Sequence, residues 1–223
     1  TTNLASTWEQ LNVVYQYGID RLWVANVGDL KGEELPLQFF LDYAWNPDAL
    51  PIEKLRDWEL GFAAQNFPAE MAGEIAGVLH EYGTLQSRRK PELLNRRITG
   101  HTGTGVVHYD DQGDPFYLEH YREHERVTAQ WQQLAERAEQ VATKLPAAYS
   151  DAYFQLVQYQ VKATANLYEL RLAEFTNIRY AQQGRAATNE LATLAQARLA
   201  DDLRLAEHWD TAVADGKWKD FQL

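Results

Sequence analysis

One run, Leu22-Trp23-Val24-Ala25-Asn26-Val27, is patterned as a buried strand, and no second convincing strand accompanies it elsewhere in the chain. The run is apolar apart from Asn26, and Trp23, Val24 and Val27 favour extended backbone. An apolar stretch without alternation suits a parallel strand covered on both faces. Helical patterns flank it on both sides. A lone strand cannot satisfy its own N–H and C=O groups, and burying them unpaired is costly. Either the strand pairs with another molecule, or the chain is a piece of a larger α/β protein. Buried backbone groups so rarely go unpaired that the second reading is favoured.

The segment after the strand is polar. Gly28-Asp29-Leu30-Lys31-Gly32 reads as a flexible loop. In α/β sheets and barrels the chemistry sits at the carboxyl ends of strands, and Asn26, Asp29 and Lys31 occupy such an end. The competing reading is a cap and turn in which Asn and Asp bond their own backbone.

Around this element the pattern is helical. Thr7 to Tyr17 reads as a helix closed by Gly18, and Pro36 opens a short helix through about Tyr43. Asn46-Pro47-Asp48 breaks it, which divides the chain into residues 1–46 and 47–223. Beyond the break, Pro51 starts a helix with Ile52, Leu55, Trp58 and Phe62 on one face. Pro68 starts another with Met71, Ile75, Val78, Tyr82 and Leu85 spaced by four and three. Residues 96–116 form a long irregular excursion rich in glycine.

Three long helices finish the chain. One carries Val127, Trp131, Leu134, Ala138, Val141 and Leu145 and ends at Pro146. The next carries Phe154, Val157, Val161, Ala165, Tyr168, Leu172 and Phe175, with Tyr153, Leu156, Leu167 and Leu170 on a second face. Two apolar faces put it near the bundle centre, over about 35 residues or ~50 Å. Gly184 caps it, and the last helix carries Leu191, Ala195, Leu199, Leu203 and Ala206. The fold expected is therefore mainly α: an antiparallel helical bundle preceded by a helix-strand-helix remnant of a larger α/β sheet or barrel.

Composition narrows the partners. A net charge of -11 without a basic stripe argues against nucleic acid and against an anionic membrane surface. No apolar run approaches the ~20 residues that span a bilayer. With no cysteine there is no disulfide or thiolate chemistry. A hydrophobic fraction of 45% supplies a sizeable core.

Two motifs invite chemistry and lack its context. His120-Tyr121-Arg122-Glu123-His124 matches the H-x-x-E-H zinc pattern, which would set both histidines on one helix face. No third ligand is placed by a partner motif, so the run reads as a charged, solvated helix start that binds no catalytic metal. Gly100 to Gly105 looks like a phosphate loop but follows no strand and opens no helix. A di-iron bundle site needs Glu-x-x-His, and no histidine here has Glu three residues before it.

The chain resembles the glycoside hydrolase family 115 α-glucuronidases. The resemblance rests on Asp20 to Lys31, Glu33 or Glu34, Pro36, and Phe39-Phe40-Leu41-Asp42-Tyr43-Ala44-Trp45-Asn46-Pro47. It continues through Arg88-Arg89-Lys90-Pro91-Glu92-Leu93, Tyr121-Arg122-Glu123, Asp151-Ala152-Tyr153-Phe154-Gln155-Leu156-Val157 and Ala165-Asn166-Leu167. Asn177-x-Arg179-Tyr180-Ala181, Gln183-Gly184-Arg185 and Gly216-Lys217-Trp218 complete it, in order along nearly the whole chain. Gly32 stands where the family usually has Pro, and His124 where it usually has Ala.

The resemblance implies a multi-domain enzyme with a (β/α)8-like barrel followed by a helical bundle. It implies removal of (4-O-methyl)-glucuronic acid α-1,2-linked to xylan, with inversion and without a metal or other cofactor. Residues 1–46 would be the C-terminal part of the barrel, and residues 47–223 the bundle. The catalytic acid and base would lie upstream, leaving no catalytic residue to name here. Asn26, Asp29 and Lys31 would be substrate-binding: the amide gives and accepts hydrogen bonds, the carboxylate accepts them, and the ammonium faces a uronic carboxylate. The partners implied are the remaining domains of the same enzyme, glucuronoxylan or its oligosaccharides, and a second copy of the chain. No signal-peptide pattern is seen at Thr1, while the resemblance implies a secreted or periplasmic enzyme. The alternative from a different class is a non-catalytic helical interaction module whose strand is exchanged with a partner.

Overall fold

The computed structural model describes residues 3–28, 30–94, 98–101, 107–109 and 115–220. Helix α1 (Leu4–Gln16) starts where the Asn3 side chain accepts the Ser6 N–H at 2.8 Å, a conventional N-cap. Helix α2 (Glu34–Trp45) packs on α1 through its aromatic face. Trp8 meets Tyr43 edge-on at 6.4 Å, and the Tyr43 hydroxyl donates to Asn12 Oδ1 at 3.2 Å. Short 3₁₀ turns at Pro47–Ala49 and Ile52–Lys54 then lead into α3 (Leu55–Asn66). The first turn after Pro51 is thus 3₁₀, and the α-helix begins at Leu55.

Helices α3 and α4 (Ala69–Gln86) form a hairpin across Phe67-Pro68. Within it Glu59 is buried and ion-paired with Arg56, and its carboxylate takes His80 Nδ1 at 3.1 Å. A short antiparallel pair, β1 (Ile98–His101) with β2 (Val107–Tyr109), lies in the segment expected to be irregular.

The rest is the bundle proper. Helix α5 (Glu123–Lys144) precedes a nearly continuous long helix built as α6 (Ser150–Tyr153), a π turn over Phe154–Gln158, and α7 (Tyr159–Gln182). Gly184, at φ +66°, turns the chain into α8 (Thr188–Thr211). Helix α5 lies between α4 and α7, and α7 between α5 and α8. Trp131 of α5 sits at the centre with no exposed surface, edge-on to Tyr82 of α4 and stacked on Tyr168 of α7 at 5.3 Å. Tyr153 donates to the Ala138 carbonyl at 2.9 Å and locks α6 to α5. The mainly α bundle is the fold the periodicity implies, and the first apolar face of the long helix is buried except for half-buried Leu172.

Two features differ from expectation. Leu22 to Val27 is not a buried strand in this chain. Among the described residues it pairs with none, and Leu22 and Val24 are 78% and 82% exposed. The cause is that the described residues contain no sheet beside it to accept its hydrogen bonds. Trp23 is held against Phe40 and Tyr43, with its indole N–H on the Ile19 carbonyl. The second difference is α8, whose Leu199 and Leu203 point to solvent. The α7 side chains facing α8 include Asn166 and Glu169, so polar groups meet there instead. Asn166 donates to the Arg198 carbonyl at 2.8 Å, and Arg198 pairs with Glu169 and Asp201. Apolar contact resumes lower down, where Trp209 and Val213 close over Phe154.

Candidate functional site

The loop after Val27 is pinned to the long helix by polar contacts. Gly32, at φ +86°, donates its N–H to Glu34 Oε2 at 2.8 Å. Its carbonyl accepts Gln160 Nε2 at 2.8 Å. Glu34 Oε1 accepts Gln155 Nε2 at 2.5 Å, and Lys31 Nζ lies 3.4 Å from the same oxygen. The Lys31 ammonium is also 4.3 Å from the centre of the Trp218 ring. Gln155 belongs to the π turn and Gln160 to the first turn of α7, so a local widening of the helix presents both amides to one loop. Proline fixes φ near -65° and could not adopt the Gly32 conformation. The loop therefore takes a path here that proline at position 32 would forbid.

Of the three residues expected to bind substrate, Asn26 and Lys31 are among the described residues, and their surroundings differ. Asn26 is exposed, and its side chain makes no hydrogen bond with the described residues. Asp29 lies outside the described residues. Lys31 is turned toward the bundle by Glu34 and Trp218. Beside Asn26, a small pocket of about 140 Å³ is lined by Ala25, Val27, Glu33, Pro36, Leu37 and Phe40. Reading by periodicity missed the residues that hold the loop, Glu34, Gln155 and Gln160. Their signal was indirect: Glu34 and Gln155 fall in runs that carry the family resemblance, and Gln160 in none.

The H-x-x-E-H run does not form a ligand pair. Tyr121 and Arg122 are left-handed, at φ +58° and +51°, and α5 starts at Glu123. His120 is therefore off the helix and exposed, its ring near Tyr117. His124 is not solvated as expected but completely buried between Phe116 and Phe175. Both its ring nitrogens, and the Thr128 hydroxyl one turn on, lack a hydrogen-bond partner among the described residues. Burial pushes its pKa down from 6.5 to about 4, against a smaller upward pull from Glu123. Among the described residues no three His, Asp or Glu side chains are grouped to hold a metal ion. Most of Gly100 to Gly105 lies outside the described residues.

Comparison with known proteins fits this architecture. The model of glycosyl hydrolase family 115 matches residues 1–93, the part containing the loop, α1 to α4 and the Arg88-Arg89-Lys90 run. No curated protein sequence matches the chain. A solved structure, the GH115 4-O-methyl-α-glucuronidase BtGH115A with specificity for decorated arabinogalactans, superposes with a TM-score of 0.77 at 26% identity. The alignment covers 97% of this chain and 27% of that enzyme, so the chain spans about a quarter of its length. In the family sequence at its start and in the fold shared along nearly all of it, this chain is similar to glycosyl hydrolase family 115.

Proposed function

We propose that this chain is the end of a catalytic barrel and the helical bundle of an enzyme that removes (4-O-methyl)-glucuronic acid, α-1,2-linked, from xylan with inversion. The observation carrying this reading is the likeness over almost the whole chain to a family 115 α-glucuronidase. The bare apolar surface of Leu22, Val24 and Trp45, the last 91% exposed, supports a missing neighbour. In this reading Leu22 to Val27 completes the parent's sheet, and Asn26 and Asp29 line the pocket at its carboxyl end. Lys31 braces that pocket through Glu34 rather than standing free in it. Inversion requires an acid and a base about 6.5–9.5 Å apart with water between them. Both would come from the preceding barrel. A second substrate, decorated arabinogalactan, is favoured by the specificity of BtGH115A.

The test is sugar release by the full-length parent from glucuronoxylan and from decorated arabinogalactan, with proton NMR of the first-formed anomer. A β-anomer from xylan supports the reading. Preferential release from arabinogalactan moves the substrate, and an α-anomer overturns inversion. The isolated 223-residue chain should release nothing from either polymer. Sugar release by the purified chain alone would refute the division proposed here.

Asn26→Ala in the full-length parent should lower kcat/KM by about 1–3 kcal/mol, the range for leaving a buried polar partner unpaired. Its side chain holds nothing among the described residues, so thermal stability should not move. Unchanged kinetics would make the loop a structural turn.

A further inference from the structure

Carboxylates outnumber Lys and Arg in this chain by 32 to 21, and cations between elements are typically paired, as in Lys144–Glu74 and Arg179–Glu119. Arg88 and Arg89 are exceptions. Among the described residues neither guanidinium faces a carboxylate. Arg88 donates to the Gln130 side-chain oxygen. Arg89 lies 5.5 Å over the Phe116 ring and 3.4 Å from the Leu93 carbonyl. These neutral partners fix the guanidinium planes and, among the described residues, leave both without an ion pair.

Nor do the two arginine side chains serve to finish α4. Its last carbonyls are taken by the Ser87 and Arg88 backbone N–H groups and by the Ser87 hydroxyl, which reaches the Thr84 carbonyl at 2.7 Å. Both arginines line a cleft of about 600 Å³ between the end of α4, the start of α1 and the loop before α2. That volume lies within the range of small-molecule sites. Lys90 adds a third cation, loosely engaged with Glu92 at 3.9 Å. Glu33 and Glu92 are the carboxylates on the same wall, against three cations. Glu33 also lines the small pocket behind Ala25 and Val27.

We infer that this cleft binds a carboxylate of an acidic glycan, a uronic acid held by the Arg88 and Arg89 guanidinium groups. The choice of a sugar carboxylate over another anion rests on the proposed function. The planar guanidinium fork matches a carboxylate by two parallel N–H···O bonds, and the neighbouring Ser6 is of a type to meet a sugar hydroxyl.

The purified chain is titrated with glucuronic acid, glucose and inorganic phosphate by ligand-observed NMR and calorimetry. Saturable millimolar binding of glucuronic acid, with glucose and phosphate each clearly weaker, supports the inference. Arg88→Gln with Arg89→Gln should weaken that binding by at least about tenfold, since it removes two charged hydrogen-bonded contacts. Arg89→Lys, which keeps the charge without the fork, should fall between. Circular dichroism melts identify any variant that has merely unfolded, and Arg88→Gln alone, at an exposed position, covers that case. Absent binding, equal binding of glucose, equal binding of phosphate, or full affinity in every folded glutamine variant would each overturn the inference. Glycan hydrolysis by the parent is measured separately. An active parent whose chain binds no glucuronic acid removes this site and leaves the proposed function standing. A binding chain from an inactive parent does the reverse.

Discussion

Trp131→Ala should destabilise the chain by about 3–5 kcal/mol, the largest effect expected of any single truncation here. The indole is fully buried and bridges α4, α5 and α7 through Tyr82 and Tyr168. Its removal leaves a void walled by rings on rigid helices, which cannot collapse around a methyl group. Such a loss is comparable to the whole stability of a marginal domain. Urea unfolding followed by far-ultraviolet circular dichroism would measure it. Trp45→Ala, at a position 91% exposed, is the control and should change stability little. A Trp131→Ala midpoint close to wild type would mean that the bundle centre is not packed as described.

Acid should unfold the protein through His124. Its folded-state pKa is about 4, lowered by burial from 6.5. Below pH 6.5 the unfolded chain binds this proton and the folded chain does not. Stability is therefore lost as pH falls from about 6.5 toward 4, by roughly 3 kcal/mol at the lower limit. No further loss comes from this group once the folded imidazole also titrates. His124→Phe keeps an aromatic ring among Phe116 and Phe175 and removes both unpartnered nitrogens. It should gain stability at neutral pH and lose the His124 share of the acid slope. Carboxylates contribute to acid unfolding in both proteins, so the measurement is the difference between the two stability curves from about pH 7.5 to 4. Parallel curves would mean that His124 is hydrated in the folded protein.

The helices were legible because their apolar residues are local and periodic: Val127, Trp131, Leu134, Ala138 and Val141 announce the buried side of α5 by spacing alone. The same spacing misled on α8. Leu199 and Leu203 look like a core stripe, but what a helix buries depends on what faces it, and Glu169 and Asn166 demand polar partners. The strand pattern of Leu22 to Val27 is real as a local preference, yet a strand is completed only by its neighbours, and the described residues supply none. The β1–β2 pair was hidden among glycines that carry no alternation. At the site, Asn26, Asp29 and Lys31 could be named from their place at a strand's end. Glu34, Gln155 and Gln160 could not, because a hydrogen bond spanning more than a hundred residues leaves no periodic trace. His124 was misjudged because charged neighbours in sequence say nothing about Phe116 and Phe175 across the fold.

The π turn at Phe154–Gln158 has a consequence for how this sequence can change length. Such a turn is an ordinary helix holding one surplus residue, with the flanks kept in phase. Deleting any one of those five residues would relax it into an α-helix while the faces of α6 and α7 stayed aimed at their partners. Deletion of a residue elsewhere along α7 would instead rotate one end by about 100° against the other and turn Trp131's partner Tyr168 away from it. The site where Gln155 reaches Glu34 is thus also the place where the long helix tolerates loss of a residue, and the loop contact is what a lineage would forfeit by taking it.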